Sequence, residues 1–580
     1  MDLLKARFLL ENLLERVETL NDGSKQLSGK LTDNELKALG IALSLFDGAP
    51  EPVVTPAPTP VRPNTPIPPI PDYQPPESVP EQPIDAEQEP VCIEIDTSVL
   101  NLSPPPNNTR LCLDFGTAMS KATLVEDYED DDFEEIEVLK LGIPGDQEEV
   151  SEVMLISSVF IDDNGLLWFG KYAIEEASHL PESSNRQQLD NIKRYLSEDG
   201  LNSKVTERFN PTGIDITYGD LILGYLMYLT WCVNHALEDL NGNHPRNLAR
   251  RFAMPCLADP AASEAEDRLR RYLGEAQVLA DTFYSTLRNG IPLETFMTAL
   301  KQLRSDKHYY EFVTEKISEP LGVAGSFLGP QIKANMLAMV VDVGAGTTDF
   351  SLYRIAVDPE KGVNTAFEVK DSADFLSEAG NYLDQLLKSV IIKEAGINSS
   401  DALWANITWG LDKNIRDYKE TLFNEGEVFV YLKDTDSEVT VNLNEFLEIP
   451  QVKKFGESLR NKMSEIMNRI SSEFAQWVAQ DPTRKLVVML TGGGASLPMV
   501  KELAQGNLLA HGMQLPLAQA RPFPSWLEKD HANLEDDYPR IAVALGGARK
   551  RIIKSGGTMS TTPGGGSSRP TFGPDFTTGK

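Results

Sequence analysis

Cysteine, histidine and long apolar runs are all scarce in this chain of 580 residues. The four cysteines, Cys92, Cys112, Cys232 and Cys256, are scattered without a C-x-x-C pair, which argues against a zinc site or a disulfide framework. Scattered cysteines suit a reducing cytosol. No apolar run is long enough to span a bilayer, and the charged first 20 residues lack the apolar centre of a signal peptide. We therefore expect a cytoplasmic protein that has no membrane partner.

Positive charge is also in short supply. The chain has 54 Lys and Arg against 87 Asp and Glu, a formal net charge of -33. This balance disfavours a general nucleic-acid binder, because such proteins neutralise phosphates with basic side chains. The densest acidic run, 126–138, is interpreted as a solvated loop and strand edge. The length is sufficient for a large core and more than one domain.

Stretches rich in proline or glycine divide the chain into four parts. Residues 1–47 carry apolar residues at helical spacing, with a capping box over Thr32–Glu35, and predict a helical segment that docks or self-associates, with a small helical hairpin that packs on itself as the alternative. Residues 48–108 are rich in proline and predict a disordered linker, with a proline-motif ligand as the alternative. Strand and helix patterns alternate over 109–552, which indicates an α/β domain. The Gly/Ser/Thr-rich residues 553–580 predict a disordered tail.

One stretch, "MVVDVGAGTTDFSLYRI" at 339–355, combines an apolar strand, a small-residue turn and two acids. Asp342 precedes the turn 344–347, and Asp349 follows it at the start of a second strand. Small residues allow backbone N–H groups to approach an anion closely. Acids beside an anion site are expected where a divalent cation also binds. The stretch therefore predicts a hairpin that binds an anion together with a cation.

A second stretch, "RLCLDFGTAMSKATLVE" at 110–126, repeats this pattern. An alternating apolar strand ends at Asp114, Gly116 and Thr117 form the turn, and Ser120 begins the returning strand. Two such hairpins, separated by more than 200 residues, predict a duplicated fold with a ligand between its halves.

A third turn follows another apolar strand in "KLVVMLTGGGASLPMVKELA" at 485–504. Thr491 leads into three glycines, and a helix is predicted after Pro498. This order places backbone donors at a helix N-terminus. The turn is neither a P-loop, since no GK[ST] follows, nor a G-x-G-x-x-G motif. A single glycine turn is weak evidence, whereas three in order, each after a buried strand, strongly favour a phosphate ligand.

Taken together, these motifs resemble the nucleotide-binding domain of 70-kDa heat-shock proteins, within the superfamily of actin and the sugar kinases. "DFGTAMS", "VDVGAGTTDFSL" and "LTGGGASLPMVKELA" are similar to its two phosphate loops and its adenosine motif. "NIKRYLSEDG", "ISEPLGVAGSFLG" and "SEAGNYLDQLL" resemble further family segments in the same order. The resemblance covers 109–552 and implies an α/β, two-lobed actin-like ATPase fold made of duplicated ribonuclease-H-like domains.

The resemblance also implies roles for individual residues, with ATP and Mg2+ as cofactors. It implies magnesium ligands, mostly through waters, at Asp114, Asp342 and Asp349. It implies that the nucleotide phosphates bind next to Asp114. The implied phosphate contacts are Gly116, Thr117, Ala118, Gly344, Ala345, Gly346 and Thr347. It implies catalytic roles for Lys193, Glu319, Asp349 and Thr347. It implies nucleoside contacts at Lys419, Gly492, Gly493, Gly494 and Ser496.

Three departures from the family pattern bear on function. Ser496 stands where the family has an adenine-stacking arginine, and Glu420 and Phe423 replace a usual arginine and serine, so the base preference stays open. About thirty extra residues, near 283–310, are expected to be helical and to decorate the surface. The residues after 552 are too few and too polar for a peptide-binding β-sandwich, so we expect no peptide-clamping cycle.

The sequence thus predicts an ATP-binding, slowly hydrolysing, chaperone-like switch protein. A protein partner or client would read its nucleotide-dependent closure through the N-terminal helices or the lobe surface, and a co-chaperone or exchange factor would fit the same scheme. An actin-like filament-forming ATPase, a small-molecule kinase and a catalytically weak scaffold of the same fold are the alternatives.

Overall fold

A computed structural model of the chain separates into two units, Met1–Glu87 and Gln88–Lys580. The structure describes residues 93–104, 107–127, 133–142, 152–180, 186–196, 200–240, 244–254, 261–401, 403–433 and 435–561, with the short strands at 17–19, 25–27 and 576–577. In the part of the chain so described, no helix is both long and apolar enough to cross a bilayer.

In the first unit, β1 (Val17–Thr19) pairs antiparallel with β2 (Lys25–Leu27). The prediction of a helix through Val17 is therefore wrong at this residue. Val17 and Thr19 are β-branched, and such side chains favour extended backbone. The rest of the helix prediction for 1–47 lies outside the described residues, as does the proline-rich stretch 48–92.

The second unit begins before the predicted boundary at 109. Val99 is buried, and Ile93 and Ile95 pack against the same core. The Ile93 backbone N–H donates to the Gln302 side chain at 3.1 Å. The last residues of the predicted linker, 93–104, are thus part of the folded unit, because this stretch supplies apolar side chains that proline-rich sequence lacks.

A mixed sheet forms the first half of this unit. β3 is the central strand. On one side it pairs in parallel with β9, which in turn pairs in parallel with β11. On the other side it pairs antiparallel with β4, which pairs antiparallel with β5 and, at its start, with β6. Its strands are β3 (Thr109–Asp114), β4 (Met119–Asp127), β5 (Glu134–Val138), β6 (Leu155–Ile156), β9 (Arg250–Met254) and β11 (Val313–Ser318). A small sheet beside it contains β7 (Val159–Ile161), β8 (Leu166–Phe169) and β10 (Ile291–Pro292).

The second half contains a larger mixed sheet with the same internal order. β12 is antiparallel to β13 and parallel to β18, β20 is parallel to β18, and β14 is antiparallel to β13. Its strands are β12 (Ala334–Val343), β13 (Thr348–Asp358), β14 (Val363–Val369), β15 (Asp374–Leu376), β18 (Leu486–Thr491), β19 (Asn507–Ala510), β20 (Met513–Ala520), β21 (Lys554–Met559) and β22 (Phe576–Thr577). A separate hairpin consists of β16 (Glu427–Leu432) and β17 (Ser437–Asn442).

The strand order β11-β9-β3-β4-β5 of the first sheet matches β20-β18-β12-β13-β14 of the second, with the same parallel and antiparallel neighbours. The predicted α/β class is confirmed, and the two halves repeat one strand topology. Both sequence-predicted hairpins, β3–β4 and β12–β13, hold the same central position in their sheets.

Helices cover these sheets. They are α1 (Gly170–Ser178), α2 (Tyr218–Asp239), α3 (Ala261–Thr282), α4 (Leu293–Ser305), α5 (Glu319–Phe327), α6 (Gly380–Glu394), α7 (Trp404–Glu425), α8 (Leu443–Leu447), α9 (Pro450–Arg469), α10 (Ser472–Ala479), α11 (Pro498–Lys501), α12 (Ser525–Asp530) and α13 (Tyr538–Ala548). The extra segment 283–310 does contain a helix, α4. However, Phe296, Leu300 and Leu303 of α4 are buried in the first core, so the segment is integrated rather than decorative.

Helices α5 and α13 pack tightly against each other, within a core cluster that takes side chains from both sheets. They approach closely at two glycines: a Cβ on Gly546 would lie 1.8 Å from the Gly322 carbonyl oxygen. Only a residue without a side chain permits this approach. After α13, β21 pairs in parallel with β14. The disordered tail predicted from residue 553 is therefore wrong over 554–559, because backbone pairing with a sheet edge requires no apolar side chains. It is also wrong at 576–577, where β22 pairs with β20, and the stretches 562–575 and 578–580 lie outside the described residues.

Candidate functional site

The two repeated hairpins have turns of equal length and equal register. β3 ends at Asp114 and β4 starts at Met119, while β12 ends at Val343 and β13 starts at Thr348. Asp114 lies directly opposite Lys121, and Asp342 lies directly opposite Asp349. Directly opposite side chains project from the same face of a sheet. Each hairpin therefore presents an acid and a second ionic group beside its turn, with opposite charges in the first hairpin and like charges in the second.

The first turn, 115–118, is held from behind by one residue. The Ser157 backbone N–H donates to the Ala118 carbonyl, and the Ser157 hydroxyl donates to the Gly116 carbonyl, both at 2.9 Å. A Cβ on Gly116 would lie 1.9 Å from the Met119 carbonyl oxygen, so the tight turn requires glycine there. The carbonyls of Gly116 and Ala118 are thus bound from one side, and the anion contact at this turn stays a prediction.

The second turn, 344–347, is held by the start of α6. The N–H groups of Gly380 and Asn381 donate to the carbonyls of Gly344 and Ala345 at 3.0 and 2.8 Å. The Gly344 N–H donates to Thr347 across the turn at 3.0 Å. Here too the carbonyls are bound from behind, in this case by backbone donors of a helix N-terminus rather than by a serine.

The third turn contacts the second hairpin directly. The Gly494 N–H donates to the Val343 carbonyl at 2.9 Å. Gly492 has a φ of 82°, and a Cβ there would lie 2.3 Å from the Asp342 Oδ1. The parallel pairing of β12 with β18 explains this proximity, because parallel strands end at the same edge of a sheet. Gly493 and Ser496 are exposed on this turn.

An ion pair lies among these turns. Lys193, on a short 3-10 helix at Ile192–Leu196, pairs with Glu319, the first residue of α5. Burial disfavours the Lys193 ammonium, yet Glu319, Asp114 and Asp342 together outweigh that effect and raise the pKa of Lys193. The lysine therefore stays charged, and it interacts with the acids of both hairpins at once.

The two acids of the second hairpin lie near a third acid, Glu319. Burial, together with Glu319 and Asp349, raises the pKa of Asp342 to about 7, although Lys121 opposes the shift. The pKa of Asp349 is raised as well, because surrounding atoms partly desolvate its carboxyl although the residue reaches the surface. The Thr347 hydroxyl donates to its Oδ2 at 2.8 Å and opposes this shift. Such a group of acids favours a nearby cation.

A hydrated cation fits this set of oxygens better than a directly bound one. Among the described residues, no three potential ligands lie close enough together to hold a metal ion. Mg2+ commonly keeps several of its waters and binds few protein oxygens. Asp114, Asp342 and Asp349 therefore suit it as a set of acids that bind its waters, and the magnesium prediction remains a prediction.

Lys419, the predicted ribose contact, lies behind the second turn. Its Nζ is 2.7 Å from the Asp384 Oδ1 and donates to the Gly380 carbonyl at 3.3 Å. Burial raises the pKa of Asp384, and Lys419 opposes that shift. The pair anchors the start of α6, whose N–H groups hold the turn, so the structure supports a positioning role for Lys419.

Sequence reasoning missed three parts of this site. Lys121 went unassigned, although counting residues across the first hairpin would place it opposite Asp114. Gly380 and Asn381 were indicated only by the segment SEAGNYLDQLL, which resembles a segment of the family, and were given no role. Nothing in the local sequence indicates that Ser157, 41 residues beyond Gly116, holds the first turn.

A comparison with protein-family models finds no match for this chain, and a comparison with curated proteins finds none either. The functional interpretation therefore depends on the geometry of the site and on the sequence resemblance. That geometry joins two hairpin turns, a glycine turn and a buried ion pair.

Proposed function

We propose that the chain is a slow, magnesium-dependent ATPase with an actin-like arrangement of two lobes, similar to 70-kDa heat-shock proteins. The observation that carries the proposal is the position of Lys193, whose ammonium interacts with Asp114 of the first hairpin and with Asp342 of the second. Each hairpin belongs to one of the two repeated sheets. A phosphate chain that binds both turns would therefore contact both halves of the unit.

The charges suit phosphoryl transfer. This reaction needs alignment and charge stabilisation more than it needs a strong nucleophile. Lys193 and Lys121 would neutralise phosphate oxygens, while Glu319 holds the Lys193 ammonium in place. Asp114, Asp342 and Asp349 would hold a hydrated Mg2+ ion, which neutralises phosphate charge when bound. Asp349, beside the Thr347 hydroxyl, would accept the proton of the attacking water.

Two lobes also suit a switch. The tightly packed α5–α13 contact lies in a core cluster with side chains from both sheets, and closure on ATP would differ from closure on ADP once the terminal phosphate is lost. We propose that a protein partner reads this difference. The base preference stays open, because Ser496 and Glu420 replace the residues that the family uses.

Single-turnover hydrolysis of Mg-ATP by the full chain tests the proposal. Wild type should bind ATP and hydrolyse it slowly, and Lys193→Ala and Asp342→Ala should each lower the rate by about a hundredfold or more. Lys204→Ala is the matched control, since this exposed lysine pairs with the exposed Asp215 at the surface. If wild type binds neither ATP nor GTP at millimolar concentration, the ATPase proposal is wrong.

A further inference from the structure

The first turn and Lys193 are tied to two neighbouring residues. Ser157 binds the turn through both its backbone N–H and its hydroxyl, as described above. The next residue, Ser158, donates its hydroxyl to Asp190, three positions before Lys193. Both serines are almost fully buried. A single peptide unit therefore connects the turn to the segment that carries the lysine.

Donor counting gives the hydrogen bonds at Ser157 a direction. The Gly116 carbonyl can only accept, so the single proton of the Ser157 hydroxyl goes to it. The Ser120 hydroxyl lies 3.2 Å from the Ser157 hydroxyl, and the Tyr225 phenol lies 3.0 Å from Ser120, 3.2 Å from Ser157 and 3.4 Å from the Leu155 carbonyl oxygen. These three hydroxyl groups form a network behind the turn. Because Ser120, Ser157 and Tyr225 are buried, the network holds the Ser157 hydroxyl, and with it the Gly116 carbonyl, in place.

Backbone pairing strengthens the connection at Ser158. Val159 and Leu189 exchange two N–H···O bonds, of 3.1 and 2.7 Å. The Ser158 carbonyl accepts from the Gly170 N–H at the start of α1. The segment 189–193 is thus attached to the strand that begins immediately after the two serines.

We propose that Ser157 and Ser158 are positioning residues that set the separation between the first turn and the Lys193 ammonium. Ser157 would govern how well the turn binds phosphate, and Ser158, through Asp190, would govern where Lys193 lies relative to that phosphate. The proposal deepens the ATPase function proposed above and depends on it for its ligand. Neither serine touches the nucleotide in this scheme.

Nucleotide binding and turnover separate the two roles. For Ser157→Ala we expect an about tenfold higher Kd for Mg-ATP and an unchanged Kd for adenosine, which lacks phosphates. For Ser158→Ala we expect an ATP Kd within about twofold of wild type and a single-turnover rate about tenfold lower. Ser305→Ala, at an exposed serine of α4, is the control and should match wild type. Equal losses for ATP and adenosine, or no loss, would overturn the proposal.

Amide hydrogen exchange of the nucleotide-free protein provides a readout that does not depend on ATP. Ser157→Ala should accelerate exchange at 115–121 and leave 189–196 unchanged, whereas Ser158→Ala should do the reverse. Tyr225→Phe should accelerate exchange at the turn, in the same direction as Ser157→Ala, because it removes one hydroxyl of the network behind the turn. If wild type binds no ATP while exchange follows this pattern, the positioning roles stand and only the ATPase function fails. Uniform acceleration over the whole unit would contradict the positioning roles.

Discussion

Asp342 lies directly opposite Asp349 in the hairpin β12–β13, so two carboxyl groups project from one face beside the second turn. The corresponding pair of the first hairpin, Asp114 and Lys121, has opposite charges, and 3.5 Å separate its Lys Nζ from its Asp Oδ2. Like charges directly opposite each other on a sheet are unfavourable. The repeated topology has therefore kept one backbone geometry and changed the charge that it presents.

The raised pKa of Asp342 predicts a pH-dependent stability of the nucleotide-free protein. The pKa is about 7 in the folded chain against an ordinary 3.8. Between these values the folded state binds more protons than the unfolded state, so the free energy of unfolding decreases as the pH rises from about 4 to 7. Asp342→Asn removes this penalty. At pH 8 in EDTA it should raise the free energy of unfolding by an amount on the order of 3 kcal/mol.

Urea titrations at pH 5.5 and pH 8 measure this effect. The advantage of Asp342→Asn should be smaller at pH 5.5, where most of the wild-type carboxyl is protonated in the folded state. Asp267→Asn, at an exposed position of α3, should show no such difference between the two pH values. An equal gain for Asp342→Asn at both pH values would mean that Asp342 is not protonated in this range.

Local patterns in the sequence predicted the hairpins and the glycine turn correctly. An acid, small residues and alternating apolar positions are contiguous along the chain, so a local pattern is enough to predict a strand, a turn and a second strand at 334–358. The ion pair Lys193–Glu319 spans 126 residues, and no local pattern connects such distant positions. Only the family resemblance placed both residues at the site.

Boundaries and packing were harder to predict for the same reason. The stretch 93–104 was assigned to the linker because prolines precede it, yet its backbone N–H groups donate to side chains of α3 and α4, and its apolar side chains belong to the first core. The strand β21 is rich in glycine and depends on backbone pairing with β14. Both errors concern segments whose structure is determined by distant partners rather than by their own composition.

Lys121 offers a prediction that the sequence alone did not. Lys121→Met keeps much of the apolar stem but removes the ammonium beside Asp114, so phosphate binding at the first turn should weaken. We expect an about tenfold higher Kd for Mg-ATP by isothermal titration calorimetry. The exposed substitution Lys204→Met should leave the Kd unchanged. An unchanged Kd in Lys121→Met would assign this lysine a purely structural role.

The buried ion pair at the edge of the first sheet should dominate local stability. Glu134 accepts from Arg549 Nε and Nη2, each at 2.7 Å, and from the Lys550 N–H at 2.6 Å, and both charged side chains are nearly inaccessible. Glu134→Gln leaves the arginine charge buried without a counter-ion, which should cost about 3 kcal/mol of the free energy of unfolding. Glu137→Gln, at an exposed position of the same strand, should change it by less than about 0.5 kcal/mol. Similar urea midpoints for the two variants would contradict this account.

The crossing of α5 and α13 predicts opposite outcomes for two identical substitutions in helices. In Gly546→Ala the new Cβ would lie 1.8 Å from the Gly322 carbonyl oxygen, a backbone atom that moves only if the helices separate. The free energy of unfolding should therefore fall by about 3 kcal/mol. Gly410→Ala places its Cβ in open space within α7, and because alanine favours helix, it should gain about 0.5–1 kcal/mol.

Thermal unfolding of the nucleotide-free chain measures both variants in one experiment. The melting temperature of Gly546→Ala should lie below that of wild type, and that of Gly410→Ala should lie slightly above it. Because the α5–α13 contact belongs to a core cluster with side chains from both sheets, the loss should appear in the main unfolding transition rather than in a minor one. A melting temperature of Gly546→Ala equal to that of wild type would show that the two helices can separate at little cost, and it would contradict a rigid crossing of α5 and α13.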